Sequence, residues 1–379
     1  MAMLARVTRL AQDFSEQVRH RPFDNNLNAE CHDSEHLLPN FDSENAVRAW
    51  FLINFNVKGP LSKEEVLALP HEVYHASRQQ DAWVFIPRET WIDSARKYCS
   101  IAGQDQFILK DVPEAIFSNF NEQMQPKLRK SPYIRLPWDT IPGQRIFVYK
   151  YLADDFLSLV RKQIPKQATK QILRDSLRGI AELHDQQIVH LDIKPDNIMV
   201  NCSHTGQKTV VEQVQVADLE NAAYLPKGRC IKGMLAGNDN WRSPEGQFKA
   251  ELNKPTDVFS FGIVCIYALL GRVIFGPDDD FQTNLAQGPL PSLIRLQRQV
   301  SYFGDGEGFS GLLKHIADDD TSCQVLRMLW DERFAEYIPY KPFSEWPDVG
   351  DAVFKDLIRG LTNLDATKRI AAHQALEHP

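Results

Sequence analysis

One stretch constrains this chain more than any other: His190-Leu191-Asp192-Ile193-Lys194-Pro195-Asp196-Asn197, set between Ile188-Val189 and Ile198-Met199-Val200. Two acids, a lysine, an asparagine and a histidine in one window do not pack as an apolar core. Short apolar segments on both sides anchor the run, so it reads as a rigid loop that holds polar side chains in fixed places. The chain of 379 residues is 43% hydrophobic and 25% charged, an ordinary globular composition at a length that suits two compact lobes or one domain with an extension.

This run resembles the catalytic loop of protein kinases, H-R-D-x-K-x-x-N, with Leu191 in place of the arginine. The resemblance implies phosphoryl transfer, in which a protein mainly positions groups and neutralises charge. It assigns Asp192 to accept the proton of an incoming hydroxyl and Lys194 to stabilise the transferred group. It assigns Asn197 to a magnesium ion. A lysine at position 194 is the serine/threonine-type choice.

Further motifs follow in the family's order. Lys110 ends the apolar run Phe107-Ile108-Leu109, as does the strand lysine that holds the α- and β-phosphates of ATP. A helix over 113–122, with Pro113 in its first position, carries Ile116, Phe117 and Phe120 at helical spacing. Glu122 is expected to pair with Lys110, with Glu114 as the alternative, since Pro126 must end or kink the helix. The run from Ile146 to Leu152 resembles the last small-lobe strand and the hinge. There Tyr149 would gate the pocket, and the backbone at Tyr151 and Leu152 would meet adenine. Val214 to Glu220 resembles the D-F-G element, written D-L-E, with Asp218 as the second magnesium ligand. Trp241 to Glu245 resembles A-P-E, and Arg369 matches the arginine that pairs with that glutamate. Asp257 to Gly262 matches the start of the large lobe's central helix, whose aspartate braces the catalytic loop.

Departures accompany the matches. Between Gly59 and Gly143 the sequence has one glycine, Gly103, placed for the turn into the Lys110 strand. No glycine-rich loop is available near 88–94 to close over phosphates. Glu220 replaces the D-F-G glycine, and Asn238 stands where a threonine usually contacts the catalytic aspartate and lysine. Residues 220–240 hold no Ser or Thr, and Tyr224 is their one hydroxyl. With Leu191 in place of arginine, this argues against control by phosphorylation of that segment.

Elsewhere, a helix over 167–185 follows from apolar residues at three- and four-residue steps, with His184 packed within it rather than acting as a ligand. Residues 201–213 read as a hairpin. Ser62 caps a candidate helix start, and residues 46–52 are apolar. A net charge of −7 argues against a nucleic-acid surface. No apolar run reaches the ~20 residues of a membrane span. The six cysteines, at 31, 99, 202, 230, 265 and 323, form no C-x-x-C pair and read as reduced thiols. The first ten residues have two arginines and no acid. They fit a mitochondrial targeting segment or an exposed amphipathic helix, and Asp13 and Glu16 favour the helix.

The expected fold is α+β and two-lobed: an extension over 1–75, a small β-rich lobe over 76–152 with the hinge at its end, and a mostly helical lobe over 153–379, clipped at its last helix. The resemblance implies a serine/threonine protein kinase using ATP and Mg²⁺ on a protein substrate. The alternatives are a pseudokinase that binds partners without efficient catalysis, or a kinase acting on a small molecule. It implies an intracellular protein, cytoplasmic or nuclear, and a looser similarity to divergent fungal kinase-like proteins.

Overall fold

The computed structural model describes residues 73–79, 82–88, 97–102, 105–128, 131–140, 145–205, 208–334 and 342–379. The readings of residues 1–72, of the segment near 89–96 and of Gly103 lie outside the described residues. The chain divides into two compact units. Among described residues one comprises 73–128 with Arg135–Ala153, and the other 131–134 with Asp154–Pro379.

The smaller unit is built on a six-stranded sheet of β1 (Val73–Gln79), β2 (Ala82–Arg88), β3 (Lys97–Ala102), β4 (Asp105–Asp111), β5 (Asp139–Thr140) and β6 (Ile146–Lys150). Its order is β2-β1-β3-β4-β6-β5. β1 runs parallel to β3, and the other pairs are antiparallel. Lys110 lies opposite Phe147 in the β4–β6 register. Pro113 caps rather than opens helix α1 (Glu114–Asn119), which passes directly into a π-helical turn over Phe120–Met124. Phe117 stacks on Phe147 at 4.9 Å and Phe120 meets it edge-on at 5.0 Å, so the helix packs on the sheet through these rings.

The larger unit is mostly helical. Asp155 caps α2 (Phe156–Arg161) by accepting the Ser158 N–H at 2.7 Å. Helix α3 (Lys166–Asp185) realises the expected periodicity, burying Ile172, Leu177, Ile180 and Leu183. β8 (Ile188–Val189) leads into the polar loop. β9 (Ile198–Thr205) and β10 (Lys208–Val216) form the expected hairpin, extended by β7 (Asp154–Asp155). β11 (Ala223–Tyr224) then pairs with β8.

After the short α4 (Pro244–Gln247), helix α5 (Lys254–Leu270) is buried continuously from Thr256 to Tyr267 and forms the centre of the unit. Gly262 lets it cross closely: a Cβ there would lie 2.7 Å from a Thr362 methyl on a later helix. The remaining helices are α6 (Asp279–Ala286), α7 (Pro291–Phe303), α8 (Gly306–His315), α9 (Asp320–Glu332), α10 (Ala352–Thr362) and α11 (Ala372–Leu376). α7, α8 and α9 bury a second cluster that includes Leu296, Val300, Leu312, Val325 and Leu326. No helix among the described residues is long and apolar enough to cross a membrane.

Candidate active site

The polar loop is held by its backbone. Asp257, in the first turn of α5, is 1% exposed. Its Oδ2 accepts the His190 N–H at 2.7 Å, and its Oδ1 accepts the Leu191 N–H at 2.8 Å. The His184 ring lies 3.0 Å from the same Oδ2. His184 is packed, as expected of it, and in addition orients the carboxylate that fixes the loop. Leu191 has φ of 64°, a left-handed conformation that a bulky residue rarely adopts. The Asp257 bond to its N–H holds it there.

Asp192 is fixed at both oxygens. Oδ1 accepts the backbone N–H of Asn238 at 3.0 Å. Oδ2 lies 3.2 Å from Lys194 Nζ and accepts from Asn197 Nδ2 at 3.3 Å. The same Asn197 nitrogen donates to the Asp192 carbonyl at 2.8 Å. Burial alone would lower the Lys194 pKa, but Asp192, Asp196 and Asp218 together raise it above the ordinary lysine value. The ammonium is therefore charged at neutral pH.

His190 joins this loop to the end of β10. Its Nδ1 accepts the Asp192 N–H at 3.3 Å, so Nε2 carries the proton and donates to the Ala217 carbonyl at 2.9 Å. The Ala217 N–H donates in turn to Asn197 O at 2.8 Å. These bonds tie the loop to the backbone just before Asp218, which has φ of 67° and ψ of 60° and opens a 3₁₀ turn over Leu219–Asn221. Glu220 sits inside that turn without a positive φ, so the glycine-to-glutamate departure costs no left-handed backbone.

The segment after Asp218 is pinned along its length. Leu225 N–H donates to Gln187 O at 2.7 Å, and Gly233 N–H to Lys249 O at 2.8 Å. Lys232 pairs with Asp318. Leu191 packs with Val189, Leu225, Ala236 and Leu252, with Ile231 and Met234 against them. Arg242 donates from Nε to Ala236 O at 2.7 Å, from Nη2 to Gly237 O at 2.5 Å and from Nη1 to Asp239 at 2.6 Å. Arg295 approaches the other Asp239 oxygen at 3.5 Å. Gly237 has φ of 76°, and a Cβ there would lie 2.7 Å from Leu191 O. Arg242 and Gly237 thus place the Asn238 N–H that holds Asp192, and sequence reasoning missed both. The run Gly237-Asn238-Asp239-Asn240 is a turn signature that could have pointed to the positive φ of Gly237, while Arg242 lies inside a motif read for its glutamate. Asn238 acts through its backbone; its side-chain oxygen accepts from Asn240 N–H at 3.0 Å.

Glu245 and Arg369 form the expected buried pair, with Nη1 to Oε1 at 2.6 Å and Nη2 to Oε2 at 2.8 Å.

In the smaller unit Lys110 is 7% exposed. Glu122, expected to pair with it, lies exposed on the π-helical turn and forms no ion pair among the described residues; Phe120 and Met124 take the buried face of that turn. Glu114 instead approaches Arg145 at 3.7 Å on the surface. Tyr149 and Tyr151 are half-buried and Leu152 is buried. The Arg135 guanidinium lies 5.2 Å from the Tyr149 ring centroid. The structure therefore gathers Asp192, Lys194 and Asn197 at one loop and does not bring Glu122 to Lys110.

Residues 139–379 match the family model for the protein kinase domain. Over 282 residues, 64% of this chain and 56% of its relative, the chain is 25% identical to the serine/threonine-protein kinase AFC1 of Arabidopsis thaliana. It is 28% identical over 226 residues to the human dual specificity protein kinase CLK1, covering 53% of this chain and 42% of that one. It is 25% identical over 244 residues to the mitogen-activated protein kinase p38b of Drosophila melanogaster, with 62% and 57% covered. The chain spans about half the length of these relatives.

Proposed function

The chain belongs to the protein kinase family, and from that premise we propose that it is an active serine/threonine protein kinase, transferring the γ-phosphoryl group of MgATP to a protein hydroxyl. The observation that carries this reading is the fixed Asp192 carboxylate, with the Asn238 N–H on one oxygen and Lys194 beside the other. A general base must be held within hydrogen-bond reach of the proton it takes. Asp192 is prepared for that task, and the charged Lys194 lies where negative charge can be stabilised.

The residues present fit a magnesium ion. Asn197 donates inward through its nitrogen, which leaves its amide oxygen as a ligand, and Asp218 adds a carboxylate. A hard-oxygen donor set is the one Mg²⁺ takes. When bound, MgATP supplies the phosphoryl group and the cation that neutralises it. In the smaller unit the reading assigns the phosphates to Lys110 and the adenine to the chain at Tyr149, Tyr151 and Leu152. Glu122 keeps only the support of motif order, because it stands exposed.

The first test is thermal shift with ATP, with and without Mg²⁺, on wild type and Asp218→Asn. A ligand that binds only the folded state stabilises by ~2.7 kcal/mol at a hundred times its dissociation constant. A Mg²⁺-dependent shift that Asp218→Asn abolishes, followed by phosphotransfer that Asp192→Asn abolishes, is the expected result. No shift at millimolar ATP sinks the reading and leaves a pseudokinase that works through binding.

A further inference from the structure

Helix α3 carries Lys166, Lys170, Arg174 and Arg178 at intervals of four. Residues four apart on a helix lie above one another on one face, so these four make a single basic ridge. All four are exposed. Arg178 pairs with Asp175 at 2.8 Å, whereas Lys166, Lys170 and Arg174 form no ion pair among the described residues. From Arg161 to Arg178 the sequence holds six Lys or Arg and one Asp, in a chain of net charge −7. Like charges four apart oppose a helix. α3 tolerates the ridge because its opposite face is buried.

The ridge borders a groove of about 1320 Å³ within the larger unit, between α3, the end of α5, and α10 with α11. The groove is lined by Ile164, Leu173, Leu269, Val353, Phe354 and Leu357. Leu269 and Val353 are each 46% exposed, two of the most open large apolar side chains among the described residues. An apolar groove beside a row of cations, three of them without an ion pair among the described residues, is complementary to an amphipathic segment with apolar anchors on one face and carboxylates on its flank. From Lys166 to Arg178 the ridge spans ~18 Å, about three helical turns.

We propose that this groove is a docking site for an acidic amphipathic helix of a partner protein, its apolar residues seated on Leu269 and Val353 and its carboxylates along the α3 ridge. The site is independent of the nucleotide reading, and none of its residues belongs to the machinery described above.

The test uses the full chain and a fluorescein-labelled helical peptide of about 18 residues, with leucines on one face and glutamates elsewhere. Two controls accompany it: the same composition in scrambled order, and a lysine-for-glutamate version. The variants are Lys170→Glu with Arg174→Glu, and separately Leu269→Glu, all at exposed positions. Circular dichroism and the MgATP thermal shift verify that each variant is folded. The expected result is saturable binding of the acidic amphipathic peptide, weakened at least ~10-fold by each variant and by scrambling, and diminished by salt. No binding at millimolar peptide overturns the proposal. So does equal binding of the lysine version, or indifference to both variants. Vesicles containing phosphatidylserine that bind through the ridge while the peptide does not would assign the ridge to a membrane surface instead. A failed MgATP shift with intact peptide binding would defeat the kinase reading and leave this one standing.

Discussion

Replacing Arg369 with methionine tests how the larger unit is held. The Arg369 side chain is 0% exposed and that of Glu245 1%. The guanidinium makes two bonds to the carboxylate, at 2.6 and 2.8 Å, one to Pro255 O at 3.0 Å and one to Asn363 O at 2.7 Å. Without it, Glu245 retains the Thr256 hydroxyl at 3.0 Å, and two carbonyls lose a donor. Breaking a buried pair from one side costs ~3–5 kcal/mol, because the remaining charge is left uncompensated. The exposed pair Arg272–Asp348, at 2.7 Å, is the internal control: Arg272→Met removes a surface interaction of ~0–1 kcal/mol. The pH dependence adds a second signature. Burial tends to raise the Glu245 pKa, but Arg369 overcomes it and holds the carboxyl below its ordinary value. In wild type that stabilisation is complete above the unfolded pKa of ~4.3 and is lost only as pH falls through the lower folded value. In Arg369→Met burial, the largest influence, is opposed only by the remaining hydrogen bonds to Glu245, so the folded pKa is expected to lie above the unfolded one. Stability then falls by ~1.4 kcal/mol for each pH unit above ~4.3 until the folded pKa is reached. The deficit should therefore widen as pH rises above the unfolded value and level off once pH passes the raised folded one. Urea unfolding followed by tryptophan fluorescence, compared at unchanged m, measures it. A deficit below ~1 kcal/mol at neutral pH, or one independent of pH, would refute the reasoning.

Three further outcomes follow from the site. Asp192→Asn should lower phosphotransfer by ~10²-fold or more, the scale of general-base catalysis, while the MgATP thermal shift survives; equal activity would remove Asp192 from the role of base. Gly237→Ala must place a Cβ 2.7 Å from Leu191 O at a φ of +76°, so a melting-temperature drop equivalent to ~1–3 kcal/mol is expected, with phosphotransfer losing more than nucleotide binding. Leu191→Arg should destabilise by several kcal/mol, because the new guanidinium would enter the cluster of Val189, Leu225 and Leu252; a melting point equal to wild type would show that the position opens to solvent.

The elements legible in the sequence were those whose signal is local. The helix over Lys166–Asp185 and the hairpin after Asn197 follow from periodicity and turn residues, and the structure begins the helix one residue before the expected start. The polar loop was legible because apolar pairs bracket it. The supports of that loop were less visible, since they come from far along the chain. His184 meets Asp257 across 73 residues, and a histidine on an apolar helix face looks the same whether it is merely packed or orients a carboxylate. Glu122 failed for another reason. A π-helical turn adds a residue per turn, so the 3.6-residue period carried through Phe120 assigns the following side chains to the wrong face. Pro126 announced an ending but not the change of register before it.

The same distinction explains how the segment after Asp218 reaches an ordered geometry. A left-handed leucine at 191 is unfavourable by itself. It persists because Asp257 accepts its N–H, and because its side chain completes an apolar cluster with the segment it faces. An arginine there would need an anion opposite it, and residues 220–240 offer no Ser or Thr to carry one. The tie that holds Asn238 to Asp192 comes from within the sequence: Arg242 binds the carbonyls of Ala236 and Gly237, and Asp239 binds Arg242. A carboxylate encoded in the chain stands where a modification that can be added or removed would otherwise act. The geometry of the Asp192 carboxylate is therefore held by contacts that the fold itself supplies.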